Sequence, residues 1–335
     1  MKLFDRVAMA RTPFIVQDCR TQRIGALNNT ADCAQDVAQC PLRFVLTDEL
    51  TRLCTALAYS KGSRTLECTD LLRVPAALLW IEWCNTACDQ ELSEYGFPIE
   101  SHSCPAGGRR GALLRASLDG RRGMVRTFWT QAGEDEALAS CVEGYFDFDV
   151  PSTEDPEPFD GRMARVLRVV DGAHSGEDVL SRCFRFRYER TWQEYYDGGN
   201  LSAVEWAAID HHALGTIAIA VPVILAFLLL LGSRTGLAQR PASLTRLNRS
   251  RAKSGKPPLL DHVEVSCPLL PAYPGREHSH AGGFRRRPRL HHVRGHLVRR
   301  GNELFWRVPH LRGSARVGRV HARTVTWTFD PRSNG

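Results

Sequence analysis

The sequence contains no Cys-x-x-Cys pair, although it has 11 cysteines, and its two closest cysteines are Cys84 and Cys88. Neither a zinc ribbon nor a thioredoxin-type site is indicated, because both chemistries use two thiols at that spacing. The N-terminal segment "MKLFDRVAMARTPFIVQDCR" also lacks an apolar core of signal-peptide length. We therefore predict a protein of a reducing cytoplasm, with free and mostly buried thiols.

Metal and catalytic signatures are equally scarce. No His-Glu-x-x-His motif occurs, so the sequence predicts no catalytic residues, no metal and no other cofactor. The histidines of "HHVRGH" and the carboxylates Asp147 and Asp149 leave a metal-dependent nuclease as an alternative. Surface histidines and a solvent-facing carboxylate pair explain the same residues more simply.

Charge is distributed unevenly along the chain. From Arg240 to the end there are 20 Lys or Arg against five Asp or Glu, whereas the preceding residues carry a net negative charge. We predict an acidic α+β body over 1–150, a Pro- and acid-rich linker over 151–161, a helical part over 162–239 and a basic region over 240–335. A basic region favours RNA, an anionic membrane or an acidic protein surface as partner, although a solvated basic face has the same composition.

The stretch "ALGTIAIAVPVILAFLLLLGS", Ala213 to Ser233, has 21 residues without a charge. A helix of that length spans roughly 30 Å, enough to cross a bilayer. Insertion would place the Arg-rich section in the cytoplasm and require export of the acidic body without a signal sequence. We predict a helix from near Ser202 to Gly232 that is buried inside the protein, with a single-pass inner-membrane protein through 213–233 as the alternative.

The remaining patterns predict an α+β fold, with an antiparallel sheet in the N-terminal half, the central buried apolar helix and a C-terminal basic β-meander. Residues 1–30 are expected to be irregular, and Leu46 to Gly62 reads as a helix capped by Thr47. Ala77 to Trp83 reads as a buried strand, and an Asp119-Gly120 turn joins two more strands. "GYFDFDV" alternates as a further strand.

In the basic region, Ser243 is expected to cap a short helix through Ala252 that lies either on RNA or on the acidic body, and Leu259 to Val265 reads as a strand. "HVRGHLV" and "ELFWRV" form a hairpin through "RRGN", where Gly301 and Asn302 permit a tight turn. "RTVTWTF" supplies the last strand of the meander. One face is expected to rest on the protein, while the other presents Arg, His and Trp.

This open face is the candidate binding site. Guanidinium groups match phosphate oxygens, and an aromatic ring such as Trp306 can stack an unpaired base, as in single-stranded RNA binding. The candidate nucleic-acid or partner-binding residues are Arg287, Arg289, His292, Arg294, His296, Arg299, Arg300, Trp306, Arg307, His310 and Arg312.

Four segments, "LNRSRAKSGKPPLLDH", "RPRLHHVRGH", "FWRVPHLRG" and "RTVTWTF", together resemble the C-terminal signature of a group of phage and prophage proteins. The chain is also similar to an anti-CRISPR family directed against the single-effector type V nuclease, with Arg294, Gly295, His296, Trp306 and Arg307 matching best. The strands "VPAALLWIEW", "GMVRTFW" and "FDFD" add a looser match.

The resemblance implies a phage-derived cytoplasmic protein of a bacterial host without enzymatic activity of its own. It would suppress production of the CRISPR nuclease through the nascent chain and its message. RNA, a ribonucleoprotein or a host defence protein is the partner so implied. The chain departs from that family in its longer apolar helix and its larger number of cysteines.

Overall fold

The computed structural model describes residues 1–17, 23–27, 30–59, 68, 70–94, 108–130, 133, 136–149, 183–189, 217, 220–234, 237–267, 289–293, 296–307, 310–312 and 314–319. The helices described there are α1 (Leu3–Ala8), α2 (Thr30–Gln39), α3 (Asp48–Tyr59), α4 (Asn85–Glu94), α5 (220–231) and α6 (Thr245–Lys253).

Ten strands build the main sheet: β1 (Phe14–Gln17), β2 (Arg23–Leu27), β3 (Leu42–Leu46), β4 (Leu78–Cys84), β5 (Arg109–Ala116), β6 (Arg122–Trp129), β7 (Leu138–Asp147), β8 (Phe184–Tyr188), β9 (Ala238–Pro241) and β10 (Val263–Ser266). Their order is β2-β1-β7-β6-β5-β4-β3-β10-β9, and β8 also pairs with β7. Strand β10 and part of β9 belong to the basic region. The main sheet therefore contains strands from the acidic body and from the basic region.

The predicted α+β class is confirmed, but the sheet is mixed rather than antiparallel. Strands β4 to β7 do pair antiparallel in succession, through β5 and β6. Parallel pairs join β3 to β4, β3 to β10 and β1 to β7. These pairs connect strands that are distant in sequence or separated by a helix, so alternation within one strand does not reveal them.

Several local predictions are confirmed. Helix α3 starts after Thr47, whose hydroxyl accepts the Leu50 N–H at 3.4 Å, and the predicted 77–83 strand corresponds to β4. Strands β5 and β6 form the predicted hairpin, with Gly120 at φ +72° in its turn. No disulfide joins the nine described cysteines to one another, and six of them are buried.

Helix α5 lies inside the protein. Every residue over 220–230 is buried, and Phe227 makes an edge contact with Phe44 of β3, with ring centroids 5.6 Å apart. Val221, Ile224 and Leu228 pack against apolar side chains of β5 to β8. In the described part of the chain, no helix combines the length and apolar character needed to cross a bilayer.

The opposite face of the sheet is covered by α1 and α2. Phe4 of α1 meets Trp80 of β4 edge-on with centroids 6.4 Å apart, and Trp80 in turn contacts Phe128 of β6 at 5.5 Å. Arg43 of β3 is buried and donates hydrogen bonds to the carbonyls of Val37 and Ala38, at the C-terminal end of α2. This guanidinium satisfies carbonyls that the helix itself leaves unpaired.

The prediction of an irregular N-terminal segment is wrong, because α1, β1 and β2 lie within it. The backbone N–H groups of Leu3 and Phe4 each donate to the carboxylate of Glu82 at 3.1 Å. Glu82 is fully buried and also pairs with Arg109. A six-residue helix is too short to be stable alone, so this distant carboxylate stabilises it.

Asp89 of α4 makes the stability of the fold sensitive to pH. The residue is buried beside Arg110 and accepts a hydrogen bond from Asn85 at 3.0 Å. Burial raises the pKa of Asp89 from 3.8 to about 6, against the opposing charge of Arg110. Because the folded-state pKa lies above the ordinary value, folding favours the protonated acid, and its contribution is lost as the pH rises through that window.

We expect the free energy of unfolding to lose about 2 kcal/mol from this residue between about pH 4 and about pH 7. Urea titrations at a series of pH values measure the loss, and Asp89→Asn should flatten the curve. Part of the slope should remain, since burial also raises the pKa of Asp5. An Asp89→Asn curve with the wild-type slope would contradict this assignment.

The C-terminal strands are β11 (Arg289–Val293), β12 (His296–Arg300), β13 (Glu303–Arg307), β14 (His310–Arg312) and β15 (Ser314–Arg319). The predicted hairpin is present as β12 and β13, with Gly301 at φ +60° in the turn. The three-stranded meander is not confirmed: β11 pairs with β14 and β15 in a separate sheet, so "HVRGHLV" is divided between two sheets. The predicted strand "RTVTWTF" lies outside the described residues.

Candidate nucleic-acid interface

Helix α6 connects the edge strand β9 to β10, and none of its residues is buried. Its predicted boundaries were close, but Ser243 does not cap it: the residue before the helix is Leu244, and no side-chain cap is present. The helix ends at Lys253, and Gly255, at φ +65°, follows in the turn.

One side of α6 is fastened to the returning chain. The side-chain amide of Asn248 donates to the Leu259 carbonyl at 2.9 Å, and its oxygen accepts the Leu259 N–H at 2.8 Å. Arg251 Nε donates to the Pro257 carbonyl at 2.8 Å. Asn248 and Arg251 are partly covered, so these bonds hold the helix in a fixed orientation against residues 257–259.

The other side of α6 carries three exposed cations, Arg246, Arg249 and Lys253, which we term the basic face of α6. Their i, i+3, i+7 spacing places them within an arc of about 60°, opposite Asn248 and Arg251, and over about 10 Å of helix axis. Among the residues that the structure describes, none of the three forms an ion pair.

The flanking edge strand is exposed along its whole length. Arg240 of β9 pairs with Glu264 of β10 at 2.5 Å, and this hydrogen bond lowers the pKa of Glu264. That carboxylate is therefore already neutralised by β9.

The hairpin offers a second basic surface. Cross-strand neighbours on its open side are His296 with Arg307, Val298 with Phe305 and Arg300 with Glu303. Arg300 and Arg307 are exposed, and the Arg300 guanidinium lies 5.7 Å from the centre of the Phe305 ring. We term these six residues the open face of the hairpin.

Arg299 belongs to the opposite side and fastens the hairpin to the body. Its guanidinium makes a bidentate contact with Asp70, at 3.0 and 2.7 Å. Arg234, just after α5, pairs with Glu303, and its N–H donates to the Leu304 carbonyl at 3.2 Å. Asp70, Arg234 and Glu303 line an open cleft of about 540 Å³ between the hairpin and the body.

The expectation that Trp306 stands on the open face is wrong. Its side chain is 4% exposed, and with Leu304 it joins the apolar core beneath the hairpin. Burial raises the pKa of the nearby Cys267 thiol, and the Trp306 side chain opposes that rise. Period two correctly paired Leu304 with Trp306, but the covered face is the one that holds the tryptophan.

The other candidate residues are distributed as follows. Arg287 and Arg294 lie outside the described residues, and only the backbone of Arg289, His292 and His310 is described, in β11 and β14. Arg312 is exposed at the end of β14. The structure therefore brings His296, Arg300 and Arg307 together on one surface and assigns Arg299 and Trp306 to the junction with the body.

The two basic surfaces lie at opposite ends of β10. Leu259 and Leu260, which precede this strand, contact Asn248 of α6 and Asp5 of α1. Cys267, which follows it, contacts Trp306 of the hairpin. The basic face of α6 was absent from the candidate residues, although the spacing of its three cations is readable in the sequence.

The carboxylates of Asp147 and Asp149 are not arranged as metal ligands. Asp147 pairs with Arg122 at 3.0 Å and Asp149 with Arg121 at 2.7 Å. Each carboxylate therefore binds an arginine at or just before the start of β6. Within the described ranges, no three His, Cys, Asp or Glu side chains are grouped so that they could hold a metal ion.

No protein-family model, curated protein or solved structure matches this chain. The geometry of the two basic surfaces and the resemblance of the C-terminal segments therefore carry the functional inference.

Proposed function

We propose that this protein is a non-enzymatic RNA-binding accessory protein of the cytoplasm, and that its basic C-terminal region makes the contact. The observation that carries the proposal is α6, whose basic face is exposed while its opposite side is fastened to residues 257–259. Cations clustered on one exposed helix face are the usual electrostatic footprint of a nucleic-acid-binding surface.

The structural setting of these cations supports a binding role over a merely solubilising one. A solvated lysine-rich surface needs no fixed geometry, whereas Asn248 and Arg251 use three hydrogen bonds to orient one short helix. Fixing the helix before binding lowers the entropy cost of association. The open face of the hairpin adds Arg300 and Arg307 as a second group of phosphate ligands.

The biological setting of the proposal comes from the resemblance. A phage-derived protein of the anti-CRISPR kind would act in a bacterial host on the message, or on the ribonucleoprotein that produces the defence nuclease. RNA contact through the basic region agrees with such a role, because a message or a ribosome presents a dense phosphate surface. A host defence protein is the alternative partner under the same proposal.

The first test removes two cations from α6. We expect Arg246→Ala/Arg249→Ala to weaken binding of a labelled RNA in fluorescence anisotropy and to reduce the log–log salt slope by roughly 1.4 for a single strand or roughly 1.8 for a duplex, since each lost phosphate contact removes about 0.7 or about 0.9. The thermal unfolding temperature should stay unchanged, because both side chains are exposed.

Arg11→Ala/Arg52→Ala serves as the matched control, since it removes the same charge from exposed positions of the body. This variant should retain the wild-type slope. Equal losses in both double variants would indicate a response to net charge alone and would contradict the assignment to α6. A flat salt dependence of the wild type would favour a protein partner instead.

A further inference from the structure

We infer that the basic face of α6 binds paired RNA, the backbone of a duplex or hairpin stem, in preference to unpaired RNA. This inference rests on the proposed function and specifies its ligand. It also replaces the expectation of base stacking on Trp306, because the structure places that ring in the core.

Single-strand recognition needs aromatic platforms, and the described basic surfaces offer little of one. In the described residues from 237 onward, the only Phe, Tyr or Trp side chains are Phe305 and Trp306. Trp306 is buried, and Phe305 is half-buried with the Arg300 guanidinium above its ring. Sequence-tolerant single-strand binders gain affinity from each base that stacks on an aromatic ring, and the described residues of these surfaces present no exposed ring.

The rigidity of α6 points the same way. Because Asn248 and Arg251 fix the helix, the positions from which its three cations extend are fixed over about 10 Å of axis. A flexible strand must be ordered to match a rigid pattern, and ordering costs conformational entropy that stacking does not repay here. A duplex already holds its phosphates in fixed rows.

Charge density adds a further preference. A duplex presents about one negative charge per 1.7 Å of axis, about twice the density of either of its strands. The helix protrudes at the sheet edge with no buried residue, so a rigid nucleic-acid cylinder can approach it. Arg and Lys side chains on one arc contact phosphates, which carry no sequence information. Binding should therefore depend on duplex form and not on sequence.

The test compares two probes on the full-length protein: an unstructured oligouridine and an RNA duplex, each of about 20 nucleotides per strand. At moderate salt we expect the duplex to bind at least about fivefold more tightly. The Arg246→Ala/Arg249→Ala variant should weaken duplex binding about tenfold or more and lower its salt slope, and the Arg11→Ala/Arg52→Ala control should not. Two unrelated duplex sequences should bind equally.

The outcomes separate this inference from the proposed function. Tighter or equal binding of the oligouridine would overturn the preference for paired RNA and leave RNA binding itself standing. Binding of neither probe would overturn both. Duplex binding that survives loss of Arg246 and Arg249, yet disappears in Arg300→Ala/Arg307→Ala, would overturn the assignment to α6 and transfer the contact to the hairpin.

Discussion

Replacement of Leu228 by Asp is expected to abolish folding. Leu228 is 3% exposed and packs with Val125 and Phe146 around a residual void of only about 10 Å³, so no water or counter-charge accompanies a new carboxylate there. An unpaired buried charge costs several kcal/mol, which is comparable with the whole stability of an ordinary domain. Circular dichroism and thermal unfolding of protein expressed without detergent measure the effect.

Leu247→Asp is the matched control, because this leucine lies on α6 with 48% of its side chain exposed. The control should unfold at the wild-type temperature. If the wild type were recovered only with detergent, or if Leu228→Asp folded normally, the enclosed position of α5 would be contradicted and the membrane-spanning alternative favoured.

The elements that the sequence predicts correctly are local and strongly patterned. An uninterrupted apolar stretch around Phe227 fits an enclosed helix or a membrane span, and the enclosed helix is favoured because a span would require export of the acidic body. The turns at Gly120 and Gly301 need a left-handed backbone, and glycine there predicted both hairpins. At both turns a few neighbouring residues contain the whole signal.

The predictions that are wrong concern elements whose structure depends on residues distant in the sequence. Helix α1 depends on the Glu82 carboxylate, about eighty positions along the chain, and nothing in its own six residues indicates that contact. The parallel pairing of β10 with β3 joins Val263 to Phe44, which no local alternation reveals. The partner of β11 was likewise misjudged, since the strand pairs with β14 and not with the neighbouring hairpin.

In the candidate site, too, the sequence predicts the local feature and misses the one that distant contacts determine. The sequence indicated a basic, strand-borne surface, and His296, Arg300 and Arg307 do lie on one open face. It could not indicate which face of the hairpin meets the body, because Leu304 and Trp306 on one side and Val298 and Phe305 on the other are both apolar enough to be covered. Docking against the body, fastened by Arg299 and Asp70, settles the choice.

Replacement of Trp306 is therefore expected to lower the stability of the fold strongly. Base stacking would instead predict a loss of RNA affinity. Trp306→Ala is expected to lower the free energy of unfolding by about 3–5 kcal/mol, because a large side chain that is 4% exposed leaves a cavity under the hairpin. Denaturant titration measures this loss. Trp306→Phe, which retains most of the apolar volume, should recover a large part of it.

The neighbouring Arg307 supplies the contrasting control, since it is exposed on the open face. Arg307→Ala should leave the free energy of unfolding within about 0.5 kcal/mol of wild type and only weaken RNA binding. Stacking of an RNA base on Trp306 would give the reverse pattern: an unchanged denaturation midpoint for Trp306→Ala, with an RNA affinity lower by about 1–3 kcal/mol. Because the ring lies beneath the strands, its loss should instead loosen the hairpin, and RNA binding should fall only at denaturant concentrations where the fold itself is lost.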